Sequence, residues 1–146
     1  HVRSRGKFPG PTTRYCTSDH KRAQVRRLMT QLAREWRASS SENRRCRIVN
    51  CLGLRAAESP ARSKLRPLEV DKGSTNKTRR LVTTFLPIHH WSDAEVWETI
   101  SRSGVPWHRA YDLGMPRLSC CFCIFAPRSA LLVAGENNPH LLDAYC

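Results

Sequence analysis

The chain has 146 residues, 40% of them hydrophobic, with a formal charge of +13 and seven cysteines. This length suits one domain or part of one, and no apolar run is long enough to span a bilayer. The start lacks the pattern of a secretory signal, and an odd cysteine count forbids complete internal pairing, so a cytoplasmic location and metal-type use of the cysteines are expected.

His1–Thr13 contains Gly6, Pro9, Gly10 and Pro11 among basic residues and reads as a loop. Thr17 or Ser18 then caps a helix running to about Ala38, on which Val25, Leu28, Met29, Leu32 and Trp36 fall at helical spacing and form a core-facing stripe. Arg22, Arg26, Arg27 and Arg34 occupy the opposite face. After a polar link over Ser39–Arg45, the β-branched run Cys46–Leu52 predicts a short buried strand. Cys46 and Cys51 are read as packing residues of that strand. It leads directly into the loop from Gly53 to Arg62. In an open α/β sheet, ligands bind beyond the carboxyl ends of strands, so the charges of this loop are well placed for a substrate.

Asp71–Thr78 is a polar, mobile connection, and Leu81–Leu86 is a second strand ended by Pro87. Ser92 with Glu95 three residues later forms a capping box for a helix whose buried face is Ala94, Val96, Trp97 and Ile100. Gly104 and Pro106 end it. A loop over Trp107–Pro116 delivers the chain to Leu118–Pro127. Ser129 caps a further helix, and His140–Cys146 is again helical and apolar.

Charge divides the chain. Residues 1–80 hold 21 of the 25 Lys and Arg against six acids, whereas residues 81–146 hold four against six. A basic half of this kind suits nucleotide phosphates, sulfate or nucleic acid. An Arg-rich composition spread over a solvated surface is the rival account. Opening on His1 without a Met and closing on Cys146, the sequence reads as a single incomplete domain. Its basic, anion-binding part is residues 1–80, and its helix and cysteine-turn part is residues 81–146.

Within Leu118–Pro127, Cys120 and Cys123 form a C-x-x-C pair around Cys121 and Phe122. Two thiolates at this spacing can hold one metal ion or two corners of an iron–sulfur cluster. The same spacing serves redox dithiols, and free cysteines also serve as small core hydrophobes. Lys21 at a helix head, Arg55 and Arg62 are the cations suited to phosphate or sulfate oxygens, with Glu58 orienting Arg55. His89 and His90 are read as packed or solvent-exposed rather than as ligands or proton carriers.

Several of these segments, in this order over roughly residues 8–127, resemble the phosphoadenosine-phosphosulfate reductase family of the adenine-nucleotide α-hydrolase (ATP pyrophosphatase) superfamily. Arg14–Lys21 resembles the segment in which a cysteine precedes a lysine at the head of a helix. Gly53-Leu54-Arg55 through Glu58-Ser59 resembles a G-x-R-x-x-E-S loop after a strand. Leu86-Pro87-Ile88 with Trp91–Trp97, and Tyr111–Gly114 with Arg117 and Cys120–Cys123, resemble two further motifs.

The resemblance implies an α/β fold, a partial Rossmann-like adenine-nucleotide α-hydrolase sheet flanked by helices, with a cysteine-bearing loop towards its C-terminus. It implies binding of an adenine nucleotide, of the adenylyl-sulfate type or ATP, by Arg14, Lys21, Arg55, Glu58 and Arg62. The implied reaction is reduction of a sulfonucleotide or ATP-dependent sulfur transfer, with a thiol or sulfur-donor protein as partner. A [4Fe–4S] cluster held by Cys16, Cys120 and Cys123 is the implied cofactor. The family pattern has two adjacent upstream cysteines where this chain has Cys16 between Tyr15 and Thr17, which leaves the fourth position to Cys121 or Cys146. A zinc ion with a histidine ligand is the alternative. The family's Ser-Gly-Gly-x-Asp-Ser nucleotide loop does not occur in these residues, and no tail cysteine matches the family nucleophile, so no catalytic residue is assigned. The rival reading from another class is a non-catalytic nucleic-acid-binding module with a structural zinc.

Overall fold

The computed structural model describes residues 2–41 and 44–145. Contacts divide the chain into two compact units, one up to Val96 and one from Trp97 onward.

In the first unit the elements run α1 (Val2–Arg5), α2 (Tyr15–Thr17), a widened π-type turn (Ser18–Arg22) and α3 (Ala23–Ser39). They continue with β1 (Cys46–Cys51), a 3-10 turn (Ala56–Glu58), α4 (Pro60–Ser63), β2 (Leu68–Val70) and β3 (Arg80–Phe85). The strand order is β1-β3-β2. β1 and β3 run parallel, from Cys46 opposite Arg80 to Cys51 opposite Phe85. β2 joins the other side of β3 antiparallel, with Leu68 opposite Phe85. This is a mixed α/β fold with a small, mostly parallel sheet flanked by helices, consistent with a partial Rossmann-like arrangement, as the sequence predicts.

Strand alternation decides where the core sits. Val82 is fully buried and Cys46 nearly so, on the sheet face where α3 supplies buried Met29 and Ala33. Burying one such valine contributes about 1.5–3 kcal/mol. The opposite face is bare: Val49 is 61% exposed and Leu68 62%, and Val70, Phe85 and Cys51 lie beside them, exposed. Cys51 therefore does not pack as expected, because its register sets it on the uncovered face.

The helix expectations need correcting, beginning with α1, which lies where a loop is expected. Neither Thr17 nor Ser18 caps. The helical path starts earlier, at Tyr15, and the Ser18 hydroxyl instead donates to the Tyr15 carbonyl at 3.2 Å. The apolar stripe of α3 is only partly core, with Val25, Leu28 and Leu32 between 40% and 54% exposed. Polar anchors fix the roll of the helix. Arg80 donates to Thr30 Oγ1 at 2.6 Å and to the Ser74 carbonyl at 2.7 Å, and Arg26 donates to Ser74 Oγ at 3.4 Å. Finally, Ser129 does not cap the helix that begins at Arg128; Pro127 holds the cap position without a side-chain hydrogen bond.

The same anchors change the picture of Asp71–Thr78. It is not a loose connection but a closed turn, with Ser74 buried, the Ser74 amide 3.0 Å from Asp71 Oδ1, and Asn76 bridged to Arg80. Burial pushes the Asp71 carboxyl up, but the hydrogen bonds from Ser74 and Gly73 and the charge of Arg26 outweigh it and hold the carboxyl below its usual value.

α5 (Asp93–Ser103) starts at the expected capping box: Glu95 accepts from the Ser92 amide at 2.7 Å, and Ser92 Oγ accepts from the Glu95 amide at 3.2 Å. Its apolar residues are less covered than predicted. None is fully buried, Ala94 is exposed, and Trp97 is 39% exposed. Gly104 follows at φ +67°, a left-handed backbone that suits glycine and stops the helix.

In the second unit, Trp97 meets Tyr111 and Trp107 edge-on, with ring centroids 4.8 and 6.2 Å away. α6 (Arg128–Asn137) and α7 (Pro139–Tyr145) pack together, and Ala130 and Ala134 supply the buried positions.

Candidate functional site

Because β1 and β3 are parallel, the loops after them emerge on the same side, and the chain ties them together there. The Ala56 amide donates to the His89 carbonyl at 2.8 Å. Arg55 reaches across as well, its guanidinium pairing with the Asp93 carboxylate and lying 3.5 Å from the Trp91 carbonyl. The Arg55 side chain is only 15% exposed, whereas that of Asp93 is 80% exposed. A guanidinium has five N–H donors, so two braces leave others unclaimed for an anion.

Glu58 has a different task from the one predicted. It accepts from the Arg55 backbone amide at 3.1 Å and pairs with the Arg62 guanidinium. It fixes the backbone of the turn, and Asp93 braces the Arg55 side chain. Burial raises the Glu58 carboxyl, yet the Arg55 amide and the Arg62 and Arg55 charges prevail and hold it below its usual range. Ser59 Oγ accepts from the Arg62 amide at 3.3 Å and caps α4.

His89 is packed, as expected, and holds this loop from behind. It is 3% exposed, with Nε2 3.0 Å from the Arg62 carbonyl and Nδ1 buried without a partner among the described residues. His90 is exposed and meets the His89 ring edge-on. Sequence reading missed the roles of Asp93 and His89 in this loop. Their signal was the Pro87–Asp93 motif itself, which follows the parallel strand adjacent to the one preceding Arg55.

The first predicted segment lies on α2 and the π-type turn. Arg14 donates to the Pro11 carbonyl at 3.2 Å, Cys16 is half-buried with its sulfur 4.0 Å from Thr17 Oγ1, and Lys21 is exposed. The segment is steadied by Tyr15, whose hydroxyl donates to the Lys7 carbonyl at 2.7 Å and whose ring lies 4.7 Å from the Arg5 guanidinium carbon. Arg5 also pairs with Asp19 at 2.5 Å.

In the second unit, the Cys123 amide donates to the Cys120 carbonyl at 3.2 Å and the Ala126 amide to the Cys123 carbonyl at 2.8 Å, which closes two successive turns. The Leu118 amide donates to the Tyr111 hydroxyl at 3.3 Å, and Arg117 lies 3.5 Å from the Phe125 carbonyl. Cys120 is exposed, Cys121 and Cys123 are half-buried, and all three are free thiols. Two thiols on such a turn fit two ligand positions of an iron–sulfur cluster or a zinc ion. Within neither unit are three His, Cys, Asp or Glu side chains of the described residues grouped to hold a metal ion, so the turn alone is half a ligand set. Cys146 lies outside the described residues.

Sequence comparison gives these features a common origin. The profile of the phosphoadenosine phosphosulfate reductase domain matches residues 14–126, a span that takes in Arg14, Cys16, Lys21, the Arg55 loop and the cysteine turn. The chain belongs to this family. It is also similar to a protein of Escherichia phage 186, described as an uncharacterized 37.8 kDa protein in the gpa 5′ region, with 29% identity over 127 residues. The aligned region is 87% of this chain but 34% of the phage protein, so the chain spans about a third of that relative's length. Among the described residues no helix is long and apolar enough to cross a membrane.

Proposed function

We propose that this phosphoadenosine phosphosulfate reductase domain acts on an adenine nucleotide bearing sulfate, and that Arg55 binds the anionic end of that substrate. The observation that supports this most directly is the braced Arg55 guanidinium, largely removed from solvent where two parallel strands end. A charge-assisted bond from such a group contributes about 1.5–3 kcal/mol. Arg62, already paired with Glu58, and the exposed Lys21 and Arg14 supply further positive potential.

The second element of the proposal is an iron–sulfur cluster, for which Cys120 and Cys123 supply two thiolates. The family pattern assigns Cys16 as a further ligand, with Cys121 as the nearest candidate for the remaining one. Bound there, a cluster would supply electron-transfer capacity. The chain's own residues bind and orient: Asp93 fixes Arg55, Glu58 and His89 fix the loop, and Tyr111 and Arg117 hold the cysteine turn.

Sulfonucleotide reduction is the reaction proposed, with ATP-dependent sulfur transfer as its competitor. Calorimetry against adenosine 5′-phosphosulfate, ATP and AMP tests the reading. Tighter binding of the sulfate-bearing nucleotide than of AMP, lost about 10- to 100-fold in Arg55→Ala, is expected. Equal binding of all three, unchanged in the variant, would remove Arg55 from the site. Preference for ATP selects sulfur transfer. Anaerobic reconstitution that leaves the protein colourless but zinc-loaded would replace the cluster with zinc.

A further inference from the structure

The outer flank of α3 carries a run of cations that the nucleotide reading does not use. Three concavities of about 810, 460 and 730 Å³ follow one another there. Thr30 and Arg34 line both the first and the second, and Arg37 lines both the second and the third, so together they make one continuous trough. Arginines line all three, and among the described residues no aspartate or glutamate lines any of them. None of their lining residues belongs to the Arg55 loop.

Helix geometry orders part of this lining. Arg26, Thr30 and Arg34 recur every fourth residue along α3, which places them at steps of about 6 Å on one flank. That repeat is comparable with the separation of successive phosphates along a nucleic-acid strand. The trough continues over Arg79 and Arg80 to Arg47 at the start of the sheet. Some of these cations hold the fold, since Arg80 and Arg26 clasp Ser74 and Arg37 donates to the Thr78 carbonyl at 3.1 Å. The side chains of Arg34, Arg47 and Arg79 make no hydrogen bond or ion pair among the described residues, and all three residues are exposed. Exposed guanidinium groups beside threonine hydroxyls are the usual donors to phosphate oxygens.

We propose that this trough binds the sugar–phosphate backbone of double-stranded DNA. The lining favours a duplex over a single strand. Trp36, half-buried, is its one aromatic among the described residues, and single strands are gripped largely by stacking bases on aromatic rings. The binding is independent of sequence, since backbone contacts position a protein without reading bases. It is also steeply dependent on salt.

The test is fluorescence anisotropy of the whole chain with a labelled duplex of about 20 base pairs, long enough to cover the trough, across a salt series. The triple variant Arg34→Ala/Arg47→Ala/Arg79→Ala is expected to weaken binding at least about tenfold near 0.1 M salt, and to flatten the log–log salt slope by roughly two to three. The corresponding lysine triple, which keeps the charges, should retain most of the affinity. The variant Arg102→Ala/Arg109→Ala/Arg128→Ala loses the same net charge elsewhere and should bind nearly as well as the parent. Four outcomes overturn the proposal: no duplex binding at about 50 mM salt; equal losses in the two alanine triples, which would mean diffuse attraction; a single strand of the same length binding as tightly as the duplex; or displacement of the duplex by millimolar AMP or inorganic sulfate, which would make the trough a small-anion site.

Discussion

The two compact units solve different problems. The first, up to Val96, buries a valine-centred sheet under one helix and spends its arginines on clasps and on open positive surface. The second, from Trp97, has no strand among its described residues, carries few charges, and is organised by edge-on aromatic rings and backbone turns around free thiols. Where the chain must attract anions, it uses long cationic side chains steadied by carboxylates and carbonyls. Where it clusters thiols, it uses short side chains on a hydrogen-bonded turn. The lesson is that a cationic surface and a thiol-bearing turn can be built into adjoining stretches by unlike means.

The comparison is broken most severely by Val82→Asp. An unpaired carboxylate in that fully buried position should cost more than about 4 kcal/mol and abolish protection of β1 and β3 amides in hydrogen exchange. Amide protection that survives would mean the valine is not the centre of the first unit. Next in size is Cys120→Ser/Cys123→Ser, which should lower iron or zinc uptake at least tenfold while leaving nucleotide binding and the first unit's exchange pattern unchanged. Coupled loss of both would show that the division of labour is wrong.

Smaller effects sharpen the contrast. Ser92→Ala removes one half of the α5 capping box and should lower stability by about 1 kcal/mol in urea melts, within a range of roughly 0.5–2 kcal/mol. A change below the error of the melt would mean that the box contributes nothing. The pH response is the smallest. The Glu58 and Asp71 carboxyls sit below their unfolded values of 4.5 and 3.8 in the fold, so they contribute stability that is complete above those values and lost as pH falls through the lower folded ones. Glu58→Gln should therefore lower the neutral plateau and flatten the acid limb below about pH 4.5, so that its stability–pH curve meets that of the parent at low pH. An unchanged acid limb would mean Glu58 is not held by Arg55 and Arg62.

How much of this could be read from residues alone depended on the range of the interaction involved. The strands at Cys46 and Leu81, the Ser92–Glu95 box and the Gly104 stop are local patterns, and they stand where the sequence puts them. So does the sheet-end position of the Arg55 loop, since a strand followed by a charged loop is itself a local signal. The roll of α3 was not legible. Periodicity reported where its apolar residues lie, but Ser74, 48 residues beyond Arg26, decided which side faces the sheet. The early start through a π-type turn also escaped notice, because its signal is a hydrogen-bond shift rather than a residue type. β2 escaped too: three exposed residues with no alternation to read. In the candidate site, the Arg55–Asp93 pair spans 38 positions and depends on strand pairing that sequence alone could only suppose.

The uncovered side of the sheet has a practical bearing. A patch holding Val49, Leu68, Val70 and Phe85 is sticky, and concentrated samples should cluster through it more readily as sulfate or other strongly hydrated salts are added. The same additions screen the arginine trough and loosen whatever it holds. Ionic strength is thus a single dial that turns two surfaces in opposite directions, and a buffer chosen to keep this protein monodisperse is also the one that lets its cationic flank grip hardest.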